Sequence, residues 1–212
     1  MDLRVSDEPA RVATKSIARR LRDAQRRRRV ATLAVSGGST APAMIEALLA
    51  EQVPWDAVTV WQVDERVAPD GHPDRNATQL DGLPCTVRLM PVTASDLRAA
   101  AARYARALPS RFDVVHLGVG DDGHTASWPP GNLDVLASDR RVEVVPPFNG
   151  RTRMTLTPPV VNGARARLVL ATGAKKRPVI TRWLDGDRSL PIATVRRTAT
   201  TIVLDPAAAP RD

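Results

Sequence analysis

The chain has 212 residues, 43% of them hydrophobic, and 31 Lys and Arg against 23 Asp and Glu give a net charge of +8. A chain of this length buries a full core and is expected to form one α/β domain over residues 1–212. No run approaches the ~18 unbroken apolar residues of a membrane span, the N-terminus lacks an apolar signal core, and Cys85 stands alone, which excludes an intramolecular disulfide or thiolate cluster and points to a cytoplasmic address.

From Glu8 to Arg29, Val12, Ile17, Leu21 and Ala24 recur at helical spacing, so the terminal run Arg26-Arg27-Arg28-Arg29 falls on a solvated face. With aromatic residues at only 3%, platforms for stacking bases are few, and nucleic acid is not an expected partner despite the charge. Ala31–Val35 reads as a strand that ends in Ser36-Gly37-Gly38-Ser39-Thr40, followed by a helix from Pro42 to Ala50. A second strand, Val58–Val63, delivers Asp64-Glu65-Arg66 into a loop rich in Pro, Gly, His and Asp. A short strand at Val87–Met90 and a helix at Ala94–Leu108 precede the apolar strand Phe112–Leu117, which ends in Gly118-Val119-Gly120-Asp121-Asp122-Gly123-His124. Strands follow near Arg141–Val145, Arg153–Thr157, Arg167–Ala171 and Thr200–Leu204, with a helix at Lys175–Leu184 between the last two and a loose tail at Pro206–Asp212.

Strands alternating with helices predict a mainly parallel central sheet with helices on both faces, and right-handed crossovers gather the strand C-termini at one edge, where ligands bind. Three strand ends there carry glycine-rich or charged clusters. The SGGST turn before a helix suits an anion, because glycine lets the backbone approach it and the helix start offers free N–H groups. Its spacing is neither a P-loop nor GxGxxG, which disfavours ATP and NAD; a plain turn capped by Ser39 or Thr40 is the competing reading. In GVGDDGHTAS, His124 projects from a crowded turn as a candidate general base, with Asp122 placed to orient its ring. His116, mid-strand, is expected to be a satisfied core or helix-facing residue, while His72 is left without a role. Asp64, Glu65, Asp121, Asp122 and His124 lack the spacing of a metal site, and none is expected. Ser36 is not in a GxSxG elbow, so water is the expected nucleophile. Arg66, Arg153 and Lys176, near strand ends, are candidate anion-binding cations.

Taken in order, SGGST, DER followed by HPDRN, FDVVHLGVGDDGHTAS, RMTLTPPVVN and the Gly-x-x-Lys of Gly173–Lys176 resemble the 6-phosphogluconolactonase family from about Leu33 to Asp205. The resemblance implies a sugar-phosphate isomerase/deaminase-like α/β fold and hydrolysis of 6-phospho-D-glucono-1,5-lactone, a phosphorylated sugar lactone, without metal or other cofactor. It further implies His124 as base and Asp122 as its orienting partner, with Gly37, Gly38, Ser39, Asp64, Arg66, Arg153 and Lys176 holding phosphate and sugar; a monomer is favoured. Arg75 departs from the family's usual serine before Asn76, with an expected effect on the pocket rim, and Trp128-Pro129 replaces the usual Leu-Phe, with repacking of a loop expected. The related glucosamine-6-phosphate deaminases carry Phe-Asn-Glu-Pro-Gly where this chain has Ser127-Trp128-Pro129-Pro130-Gly131, without the glutamate. A non-catalytic sugar-phosphate-binding module is the remaining alternative, although too few residues precede Ala31 for a DNA-reading domain.

Overall fold

The computed structural model describes residues 1–211. In chain order the elements are β1 (Asp2–Val5), α1 (Pro9–Arg28), β2 (Ala31–Val35), α2 (Ala41–Leu49), β3 (Val58–Gln62), β4 (Asp64–Arg66), β5 (Thr86–Arg88), α3 (Leu97–Ala107), β6 (Val114–Leu117), α4 (Leu133–Ala137), β7 (Val142–Phe148), β8 (Arg151–Leu156), α5 (Pro158–Gly163), β9 (Arg167–Ala171), α6 (Arg177–Leu184) and β10 (Thr200–Leu204). Seven of the strands form a parallel sheet in the order β1-β10-β9-β6-β2-β3-β5, and β4-β8-β7 form a small antiparallel sheet beside it.

The two-residue period of the strands divides the core. Leu33, Val35, Val60, Val114, Leu168 and Leu170 pack on α1 and α2 through Ile17, Leu21, Met44 and Leu48. Their neighbours Ala34, Trp61, Val115, Leu117 and Val169 face the other way, onto α3, α6 and the small sheet through Tyr104, Ile180, Trp183, Met154 and Leu156. One face is thus covered by helices alone and the other by helices and the small sheet together. Trp128, fully buried with its Nε1 donating to Leu156 O at 2.8 Å, belongs to this second core. The arginine run ending α1 is exposed; Arg28 pairs with the buried Asp113, which also accepts from the Thr32 backbone. No helix among the described residues is long and apolar enough to cross a membrane.

Three features depart from expectation. Asp64-Glu65-Arg66 is strand β4, not loop: the chain leaves the parallel sheet at Val63, whose carbonyl accepts from Leu156 N, and pairs with β8. Charged residues hide such a strand because its apolar alternation is missing. The tail is packed through Ala209, with Ala208 fully buried and Arg177 Nε donating to Ala209 O at 2.8 Å, because Asp205 caps the turn by accepting from Ala208 N; Asp212 lies outside the described residues. The short elements β1, α4 and α5 carry too little periodicity to be read from the sequence; β1 is an exposed edge strand held by parallel pairing with β10.

His116 is fully buried, and by strand parity it faces the α1–α2 layer, as a helix-facing histidine. Neither ring nitrogen makes a hydrogen bond of good geometry among the described residues, although the Ser36 backbone is near enough to oppose part of the effect of burial. Burial holds the imidazole at about 4, below its ordinary 6.5. Between these values the unfolded chain takes up a proton that the folded chain refuses, so the stability contributed here is full above pH 6.5 and falls as pH drops toward 4. The loss totals about 3 kcal/mol. Urea unfolding across this range is expected to show a steeper acid loss for the native chain than for His116→Leu; parallel curves would contradict it.

Candidate active site

The order of the parallel sheet reverses between β2 and β6: β2 is followed by β3 on one side, while β6 leads on toward β9 on the other. Loops leaving such neighbouring strands diverge and open a crevice at their C-terminal ends. The crevice is lined by the loop after β2 (Ser36 to Thr40), the loop after β6 (Gly118 to Gly120, then His124 to Ala126), and Asp64, Arg66, Asn76, Arg153 and Lys176. Each residue proposed from the sequence therefore reaches one cleft, apart from Asp122, which stands behind His124.

The glycine loop is open for an anion. Thr40 at the start of α2 makes no side-chain capping bond, and the N–H groups of Gly37, Ser39 and Thr40 donate to no acceptor among the described residues. The plain capped-turn reading is thereby disfavoured. Gly38 N is taken by Gln79 Oε1 at 3.1 Å, which braces the loop from outside. Gly37 must be glycine: a Cβ there would lie 2.1 Å from Asn76 Oδ1.

The turn after β6 is folded tightly around His124. Gly120 N donates to His124 O at 2.8 Å, and His124 N donates to Asp122 Oδ1 at 3.0 Å. The same carboxylate oxygen lies 2.5 Å from His124 Nδ1. Partial burial works against the Asp122 charge, but the backbone N–H and ring of His124 outweigh it and hold the carboxyl below its ordinary range. An ionised carboxylate only accepts, so it fixes the proton on Nδ1 and leaves the Nε2 lone pair as the basic site. Gly120 makes this pairing possible, because a Cβ at that position would sit 2.0 Å from Nδ1 and 2.5 Å from Asp122 Oδ1.

Three cations also line the cleft. Lys176 follows the turn at Gly173 and its Nζ is 2.6 Å from Asp121 Oδ1. Arg66 and Arg153 are direct cross-strand partners in the β4–β8 ladder. Like charges directly opposite repel, and an anion between them relieves that repulsion. Arg66 Nη1 donates to Asp74 O at 2.6 Å, whereas its buried Nε has no partner among the described residues. Asp64 is buried next to the pair and accepts from Ser127 Oγ at 2.7 Å; burial raises its carboxyl above the ordinary value, against the pull of Ser127, Arg66 and Arg153.

Sequence reasoning passed over Asn76, Asp121 and Ser127 as site residues. Asn76 lines the cleft with Oδ1 unpartnered, and only its place in HPDRN signalled it. Two residues weighed there lie elsewhere. Glu65 is fully buried away from the cleft, accepting from Gln62 Nε2 and from the N–H groups of Arg66, Asn76 and Ala77. His72 sits outside the cleft between Asp74 and Arg151. Arg75 does not shape the rim: it is buried behind it, with Nε 3.0 Å from Glu65 and Nη1 bonded to Ala68 O and Asp70. Among the described residues no three His, Cys, Asp or Glu side chains converge as metal ligands.

Residues 4–204 match the model of the glucosamine-6-phosphate isomerase/6-phosphogluconolactonase family. The chain belongs to that family. It is 34% identical to the 6-phosphogluconolactonase of Streptomyces coelicolor over 94% of this chain and 87% of that protein. Identity to the 6-phosphogluconolactonase of a Nostoc species is 35% over 70% of this chain and 69% of the relative. The crystal structure of a 6-phosphogluconolactonase from Shewanella baltica superposes with a TM-score of 0.87 at 26% identity, covering 97% of each chain. The small sheet and the cleft at the β2–β6 switch point are therefore features of a family member.

Proposed function

We propose that this chain hydrolyses 6-phospho-D-glucono-1,5-lactone to 6-phospho-D-gluconate, the second step of the oxidative pentose phosphate pathway, in the cytoplasm and as a monomer. The observation that carries the reading is the pairing of His124 Nδ1 with Asp122 at 2.5 Å in a cleft that Arg66, Arg153 and Lys176 also line. The named relatives support the choice of substrate.

The cations and the free N–H groups of the glycine loop bind the phosphate and sugar oxygens. His124 Nε2 takes a proton from water, and the hydroxide attacks the lactone carbonyl. The carbonyl oxygen becomes an oxyanion that preorganised N–H or cationic donors stabilise, each worth about 3–4 kcal/mol. Collapse breaks the bond to the ring oxygen, which leaves as an alkoxide and takes the proton from the imidazolium. Water supplies the nucleophile and the carboxylic acid product ionises, so the reaction needs no cofactor.

The test follows acid release from freshly made lactone by the purified protein, with and without EDTA. Release well above the spontaneous rate and unchanged by EDTA is expected; release at the background rate would refute the reading. A deaminase would instead liberate ammonia from glucosamine 6-phosphate, and the absence of a glutamate in Ser127 to Gly131 argues against it.

Gly120 supplies a sharper geometric test. Gly120→Ala is expected to lower kcat by about 10²-fold, the scale on which misplacing a catalytic group by an ångström acts. Steady-state kinetics decide it, and a wild-type kcat would show that the turn tolerates the methyl group.

A further inference from the structure

The β7–β8 hairpin places one aromatic ring against both sides of the cleft's chemistry. The ring of Phe148 meets that of His124 edge to face, with centroids 5.0 Å apart and planes at 80°. The guanidinium of Arg153 lies 5.1 Å from the Phe148 centroid, and Arg153 Nε donates to Phe148 O at 3.0 Å. Phe148, half-buried beside the exposed hairpin turn, thus touches both the base and the cation.

Two sequence features put it there. Asn149 and Gly150 both take positive φ, at 50° and 77°, closing a two-residue hairpin whose backbone twist suits the strands. The ladder pairs Val145 with Arg153 and Phe148 with Arg151, which spends one extra residue on β7. Pro146 and Pro147 occupy this bulge on an edge strand, where the missing N–H groups cost no ladder bond. An unbroken ladder would set Pro147 opposite Arg151 and turn Phe148 to the opposite face. With the bulge, Phe148 shares a face with Arg153 as its diagonal neighbour.

We propose that Phe148 is a positioning residue that locks the His124 ring against Asp122 and seats the Arg153 guanidinium at the cleft wall, tying the base and one anion-holding cation to a single rigid support. Edge contact with an aromatic face restrains the imidazole plane, and the same phenyl ring attracts the guanidinium through its quadrupole. The inference rests on the reading of His124 as base and Arg153 as part of the anion site.

Kinetics of Phe148→Leu, Phe148→Tyr, Arg153→Met and the Phe148→Leu/Arg153→Met pair test it. Phe148→Leu is expected to lower kcat roughly tenfold, through His124, and to raise KM roughly tenfold, through Arg153. Phe148→Tyr keeps the ring and is expected within about twofold of wild type. On the Arg153→Met background, Phe148→Leu is expected to lower kcat still but to raise KM no further, because the group through which it acts on binding is gone. The proposal is overturned if Phe148→Leu behaves as wild type, if Phe148→Tyr loses as much as Phe148→Leu, or if the two KM effects multiply. A wild-type chain without lactonase activity would defeat the functional reading alone. The crystal structure of Phe148→Leu would then still decide the positioning role: a displaced or mobile His124 ring supports it, and an unmoved ring and guanidinium overturn it.

Discussion

Replacing His124 with alanine is expected to lower kcat on the phosphorylated lactone by about 10²–10⁴, the range that a general base contributes. The ring is partly solvent-exposed and lies in a loop, so its loss is expected to leave the melting temperature nearly unchanged. Substitution of its partner separates orientation from basicity. Asp122→Asn retains the shape but offers an amide where the carboxylate accepted the Nδ1 proton, which allows the proton to move to Nε2 and blocks it as a base. That variant is expected to fall in kcat with little change in KM. Lys176→Ala should do the opposite, raising KM for the phosphorylated substrate, because its Nζ carries charge for the anion and takes no part in proton transfer. A modest loss in His124→Ala together with an unmoved KM in Lys176→Ala would overturn the assignment of roles.

The largest effect expected on stability belongs to Arg75. Its guanidinium is only 3% exposed and its Nε lies 3.0 Å from Glu65, which is fully buried. Without Arg75 the Glu65 carboxylate keeps its N–H donors but loses its paired cation, and breaking a buried ion pair typically costs about 3–5 kcal/mol. Arg75→Ser is therefore expected to lower the melting temperature by roughly 6–20 °C at the ~2–4 °C per kcal/mol of a chain this size. Removing Glu65 as well is not expected to rescue it. The N–H groups of Arg66, Asn76 and Ala77 donate to that carboxylate and would be orphaned in Glu65→Leu. Thermal and urea unfolding of the three variants check this, and an unchanged midpoint in Arg75→Ser would contradict it.

Arg75 also shows where reading the sequence stops. As one arginine among many in a polar loop it signals only a charged rim; its burial depends on Glu65 turning inward from a strand that its own residues conceal. The same holds for Arg153, whose place opposite Arg66 comes from pairing of β4 with β8, far apart in the chain. Phe148 was not singled out in the sequence, because its contact with His124 needs both the bulge in β7 and the separate fold of the turn after β6. His116 was legible as buried from its neighbours Val115 and Leu117, but its lack of a well-formed hydrogen bond was not.

What the sequence alone determined was the alternation of strands and helices, the parallel sheet it implies, and the delivery of Gly37, Gly38, Asp64 and His124 to strand ends. Those follow from local periodicity and from chemistry carried within a few residues. Tertiary structure decided which side chains meet: the Arg66–Arg153 pair, the Glu65–Arg75 ion pair and the Phe148 ring against His124. Each depends on strand register and loop closure between distant segments, and a one-residue shift in register would turn the same residues to the opposite face.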